Sequence, residues 1–375
     1  MLSFNTLLLR SRCLARGLPV KSFLTFFPIR STSRFYSDDS FNLRPGFEIA
    51  LRAASLQLVL SRWGMEMATK MEQAKGSDPE NDERRAKAVN AITETALNGG
   101  LVDSLTEKEM NMLKKDQGTW EYEDFQYGKY WESLGILSWL LGRRNEVPQY
   151  FSSFDRVKLF QSTGILPGDP NTIDSFINSF MSTQGVFSIK NSILKREIDL
   201  AEIWYWRSRM QVLIDLKDQL AKSGSNTTPD SSSSSNLDSQ NDDVVQQQLE
   251  NKRIPHSLRR SIKDSQAILE AATKRAIELG LLDQKIDSDF AVIVETDVES
   301  PQSSQNSSNG NSNSRVEIPI PYEKLEKKDH DALMDIAEAR LMAFAWATGK
   351  LDAWDPKKMA NIGSINPLNV LWSPE

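Results

Sequence analysis

Histidine and cysteine are the scarcest chemical resources of this chain: two of the first, His256 and His330, and one of the second, Cys13. A lone cysteine forms no internal disulfide. Cys13 also lies in an N-terminal segment that reads as removable, so the mature chain is left without a thiolate nucleophile or a cysteine metal ligand. Zinc and non-haem iron need clusters of His, Cys or carboxylate at defined spacing. The two histidines are 74 positions apart and belong to no H-E-x-x-H or E-x-x-H pattern. Both fall in or beside segments expected to be exposed. No metal and no cofactor is expected. The glycine patterns of phosphate loops, dinucleotide-binding turns and nucleophile elbows are missing as well. Long apolar runs are also lacking. The best, Ser133 to Gly142, is ten residues long, against the ~18 or more of a spanning helix. It reads as a core helix, and the chain as soluble or at most peripheral to a membrane.

Acidic residues are missing from the whole N-terminal segment. Between Met1 and Ser37 there are six basic residues (Arg10, Arg12, Arg16, Lys21, Arg30, Arg34) and no Asp or Glu. Leu7, Leu8, Leu9, Leu14, Leu18, Phe23, Phe26 and Phe27 lie among them. This is the composition of a mitochondrial presequence, a cationic amphipathic helix that the membrane potential draws inward. The run Arg34-Phe35-Tyr36-Ser37 places the processing site at Tyr36 and Ser37, with residues 1–36 as the presequence and a matrix-facing mature protein. Without residues 1–37 the chain has 39 basic and 51 acidic residues, a net charge of −12. That sign argues against a protein that coats nucleic acid.

The remainder reads as mainly α: an irregular multi-helix domain with a small two-stranded β-ribbon near the C-terminus and two disordered insertions. Ile49, Ala53, Leu56, Leu60, Trp63, Met67 and Met71 recur at steps of three and four behind Pro45, which suits a helix start. A helix through Ala88, Ile92 and Ala96 stops at Gly99-Gly100, and Thr106 with Glu109 forms a capping box. Tyr130, Leu134, Leu137 and Leu141 predict a helix ending at Gly142; Asn171 predicts a cap for Ile173, Phe176, Ile177 and Phe180. A long helix spans about Lys190 to Ala221, with Leu194, Ile198, Ala201, Tyr205, Val212, Leu216 and Leu220 as its stripe. The helical half 44–222 then gives way to a polar segment, 223–251, too poor in apolar residues to offset its ordering entropy. A second helical half, 252–375, carries Ile262, Leu269 and Ala276 every seven residues. Phe290 to Val294 and Arg315 to Ile320 predict two strands around a disordered loop, 300–314, with Pro319 and Pro321 marking an edge. The last helix, about Asp329 to Thr348, uses Leu333, Ala337, Arg340, Phe344 and Ala347.

Three segments in order carry a resemblance: WESLGILSWLLG (Trp131 to Gly142), EIDLAEIWYWRSR (Glu197 to Arg209) and ARLMAFAWATGKLDAWDP (Ala339 to Pro356). Together they resemble the family catalogued as domain of unknown function 4272, from roughly Arg44 to Asp355 outside the two insertions. The resemblance implies a shared fold and brings no activity with it. Trp206-Arg207 stands where it implies an arginine and histidine-tryptophan, and Ala339 where it implies an acid.

The chemistry that remains is carboxylate and arginine. Glu132, Asp199, Glu202, Arg207, Arg209, Arg340 and Asp355 lie within or beside aromatic helices. A group built from Glu132, Arg340 and Asp355 could orient a polar ligand or supply a desolvated general base. The alternative is one ionic residue per helix tying packed helices together. Trp204-Tyr205-Trp206 could stack on a flat ligand, but consecutive helical residues point about 100° apart and read better as packing. Lys252, Arg253, Arg259, Arg260 and Lys263 form an acid-free basic run suited to RNA or anionic lipid, or to a solvated helix start. The leading expectation is a non-catalytic helical binding or assembly factor with a mitochondrial protein partner. An enzyme or small-ligand binder and an RNA-associated protein are the alternatives.

Overall fold

A computed structural model describes residues 42–76, 79–181, 189–225, 259, 262–283, 288–297 and 315–359. The presequence, its processing site, and the polar stretches 226–251 and 300–314 lie outside the described residues.

The first helix, α1 (Gly46–Gln73), follows Pro45 as the periodicity predicts, but its burial is wider than one stripe. Ala50, Ala54, Leu58 and Val59 are buried beside Ile49, Ala53, Leu56 and Leu60. Small residues let neighbours approach α1 closely on several sides, so it becomes the central helix. Only its end differs: Met71 is exposed rather than packed. Around α1 lie α2 (Pro79–Asn98), α3 (Glu107–Lys114), the short α4 (Tyr122–Phe125), α5 (Trp131–Leu140) and α7 (Asn171–Asn178). A further helix, α6 (Arg156–Thr163), packs on α5. Gly100 ends the turn after α2 at φ +72°, where a side chain would be strained. Thr106 and Glu109 cap α3 reciprocally, as their spacing predicts. Asn171 does not cap α7. It is the first helical residue, and Asp169 accepts the Asn171 backbone and amide N–H groups instead.

Every residue of α5 is buried, as the charge-free run from Ser133 to Gly142 predicts for a core helix. It lies against α1 and against the last helix, α10 (Lys327–Ala347). The long helix α8 (Asn191–Ser225) packs on α10 and runs past the expected boundary at 222. Its outer half gathers a small second cluster of Met210, Leu213 and Leu220 with Ile262, just ahead of α9 (Ser265–Glu278). The main core joins residues from Ile49 to Met359, so both helical halves share it.

The strands are β1 (Ala291–Asp297) and β2 (Arg315–Pro321), antiparallel, with Ala291 opposite Pro321 and Ile293 opposite Pro319. A two-stranded ribbon has only edges, so it tolerates prolines that a central strand would not. Phe290 and Tyr322 close its root: Tyr322 N donates to Phe290 O at 2.8 Å, and Trp204 meets Phe290 edge-on at 5.2 Å. No helix among the described residues is long and apolar enough to cross a membrane.

Candidate functional site

Buried guanidinium groups organise the interior. Burying a charge is costly unless it is paired and its remaining donors are satisfied. Each of these arginines is paired with one carboxylate and, in most cases, donates to carbonyls of an irregular segment. Arg340 has all its donors engaged, whereas Arg52 Nε, Arg62 Nε and Arg207 Nη1 have no partner among the described residues.

The Glu132–Arg340 pair joins α5 to α10. Arg340 Nε donates to Glu132 Oε2 at 2.9 Å and Nη2 lies 2.8 Å from the same oxygen, with both side chains buried. The other Glu132 oxygen accepts Phe154 N at 3.1 Å. Arg340 also donates to Pro148 O and Ser152 O, each at 2.6 Å, and its guanidinium lies over the Tyr150 ring. Sequence reasoning therefore brought the right two residues together, although 208 positions separate them. Asp355 does not join them. Its carboxylate accepts Lys357 N at 3.0 Å and caps the one-turn helix Pro356–Lys358.

The other ionic residues distribute as ties between elements. Arg207 on α8 forms a bidentate pair with Asp289 at 2.5 and 2.8 Å, and Asp289 also accepts Phe290 N and Glu323 N. This fastens the ribbon root to α8. Burial raises the Glu202 carboxyl above the usual carboxylate range, partly offset by Lys350 at 2.9 Å. Asp199 pairs with Lys195 on its own helix. Arg209 is half-buried. Trp204 is buried and stacked on Tyr150 with a 5.8 Å centroid separation; Tyr205 is buried and Trp206 half-buried. The aromatic run is packing.

His330 corrects an expectation. It is buried rather than exposed: its ring stacks on Tyr322 and its Nε2 contacts Tyr322 O at 2.6 Å. An N-terminal helical turn looks exposed in sequence, but the ribbon folds back over this one. His256 lies outside the described residues, as do Lys252, Arg253 and Arg260. Of the basic run, Arg259 is half-buried and Lys263 exposed, its carbonyl accepting Lys217 Nζ at 3.2 Å. No group of three or more His, Cys, Asp or Glu able to hold a metal occurs among the described residues.

Two further clusters, not anticipated from sequence, surround α1. Arg52 pairs with buried Glu109, which also accepts the Tyr127 hydroxyl. Burial opposes the charge on Glu109, yet Arg52 and Tyr127 outweigh it and hold the carboxyl below the usual range. Arg62 and Glu66, one turn apart and fully buried, also pair. Arg62 donates to Lys115 O at 2.8 Å, and Glu66 accepts Gly118 N at 2.9 Å. Gly118 adopts φ +80°, which lets the chain turn there. Together they bolt the segment after α3 against α1.

That bolted segment forms one wall of an open groove. A 450 Å³ cleft between α2 and residues 113–117 continues into a 420 Å³ cleft reaching the end of α1; Ala86 and Gln117 line both. Val89 and Leu113 form its apolar floor. The only signal in sequence was indirect: Arg62 and Glu66 stand one turn apart within α1.

No family model, no curated protein and no solved structure matches this chain.

Proposed function

We propose that the protein is a non-catalytic helical binding or assembly factor of the mitochondrion, made with the presequence 1–36 and related to the family of unknown function 4272. The observation that carries the binding role is a contrast in how polar groups are used. The Glu132–Arg340 pair is turned inward, its donors committed to the protein's own Pro148 and Ser152 carbonyls. The concave face along α2 is open to solvent, and its wall is held by buried groups rather than left to adjust on binding. A preformed surface lowers the ordering cost of association.

Affinity purification from isolated mitochondria, read by proteomics and by metabolite mass spectrometry, tests the role. A stoichiometric protein partner is expected; a tightly held metabolite with no protein would replace this reading with that of a small-ligand binder. Location is tested separately. A fusion lacking residues 1–36 is expected in the cytosol, and its continued presence in mitochondria would overturn the presequence assignment.

A further inference from the structure

Along the groove beside α2 most cations are committed to carboxylates, while two carboxylates are not committed to cations. On α2 the basic residues are engaged: Arg84 with Glu80, Arg85 with Glu72 and Asp82, and Lys87 with Glu83. Lys115, on the opposite wall, is held by Asp124 at 2.6 Å. Glu94 on α2 and Asp116 on the facing wall are exposed and make no ion pair among the described residues. Lys114, at the lip, is the one lining cation in the same condition. Of the four lining carboxylates, Asp82 and Glu83 are paired with Arg85 and Lys87, which leaves Glu94 and Asp116 against the single ammonium group of Lys114. Asn90, Thr93, Gln73 and Gln117 add neutral hydrogen-bonding groups.

Length and rigidity complete the description. The lining positions on α2 run from Asp82 to Glu94, about 18 Å at 1.5 Å per residue. That accommodates about five residues of extended chain. The wall carrying Asp116 does not need to be ordered by a ligand. The buried Arg62–Glu66 pair holds Lys115 O and Gly118 N on either side of Asp116, and Thr93 Oγ1 donates to Leu113 O at 2.9 Å.

We propose that this groove docks an extended, lysine- or arginine-bearing segment of a partner protein, with Glu94 and Asp116 as its two charge contacts and the Val89–Leu113 floor taking an apolar side chain between them. This deepens the binding-factor reading and rests on it. Arg62 and Glu66 act as positioning residues for the wall.

The test uses the chain without residues 1–36 and two labelled octapeptides, one alternating lysine and alanine, the other glutamate and alanine, followed by fluorescence anisotropy. The lysine peptide is expected to bind and the glutamate peptide to bind at least tenfold more weakly. Combining Glu94→Lys with Asp116→Lys should weaken lysine-peptide binding about tenfold or more, since two exposed carboxylates are both removed and reversed. Asp174→Lys, an exposed charge reversal on α7 outside the groove, should leave it unchanged, and circular dichroism checks that each variant is folded. Equal binding of the two peptides, equal binding by the groove variant, or no binding of the lysine peptide would each overturn the proposal. The two readings fail separately. A partner that co-purifies equally with the parent chain and the Glu94/Asp116 variant removes the groove while leaving the binding role intact.

Discussion

Single arginines control much of this interior. Arg340 is buried in contact with Glu132 and with the carbonyls of the 148–152 segment. Replacing it by methionine strands the Glu132 carboxylate and leaves two carbonyls without donors. A loss of about 3–5 kcal/mol is expected in urea denaturation. Adding Glu132→Leu should recover part of that loss but not all, because Pro148 O and Ser152 O still lack a partner. Full recovery would show that Arg340 contributes nothing through the loop. The pair was legible in sequence as two ionic residues on aromatic helices. Its role was not, because whether a guanidinium faces a cavity or a strand of carbonyls depends on where an irregular segment folds. Asp355 shows the same limit: its local sequence next to Pro356 already suits a cap, and a cap is what it became.

At the scale of elements, helix α5 illustrates how a sequence without amphipathic contrast becomes a fully buried rod. Buried on all sides, it needs small residues wherever a neighbour presses close. Gly135 is such a point. A methyl group there would collide with the Phe154 ring, and Phe154 N is fixed by Glu132. Gly135→Ala should cost about 1–3 kcal/mol through overpacking, read as a lower midpoint in thermal or urea melts. A variant as stable as the parent would mean that the ring moves aside freely. The ribbon taught a different lesson. Alternation and prolines indicated two edge strands, and the register agrees. That the ribbon root would engage Arg207 through Asp289 was invisible, since that contact joins residues 82 positions apart. The stacking of His330 on Tyr322, eight positions before it, depends on how the chain turns between β2 and α10.

For the whole molecule, the polar stretch between the helical halves leaves open in sequence whether they share a core. One core draws on α1, α5, α8 and α10 together. Arg44, at the beginning of the described chain, donates to Trp346 O, Leu351 O and Asp352 O near its end. A chain lacking residues 1–36 should therefore unfold in a single calorimetric transition with matching calorimetric and van't Hoff enthalpies. Two resolved transitions would show that the halves are independent domains. The groove proposal also belongs at this scale, because its walls come from α1, α2 and the segment after α3.

Sequence alone determined what depends on local composition and periodicity: the helical class, most helix limits, the ribbon with its prolines, the α3 capping box, and the expectation of a presequence. Apolar spacing and turn chemistry act over a few residues, so they can be read without knowing the fold. Only the tertiary structure decided the groups whose meaning comes from distant neighbours. Closure of Arg340 onto loop carbonyls requires α5, α10 and the 148–152 segment to be in place first, and a groove with two uncommitted carboxylates requires α1, α2 and the segment after α3. The charges were always visible; what each one faces is a property of packing.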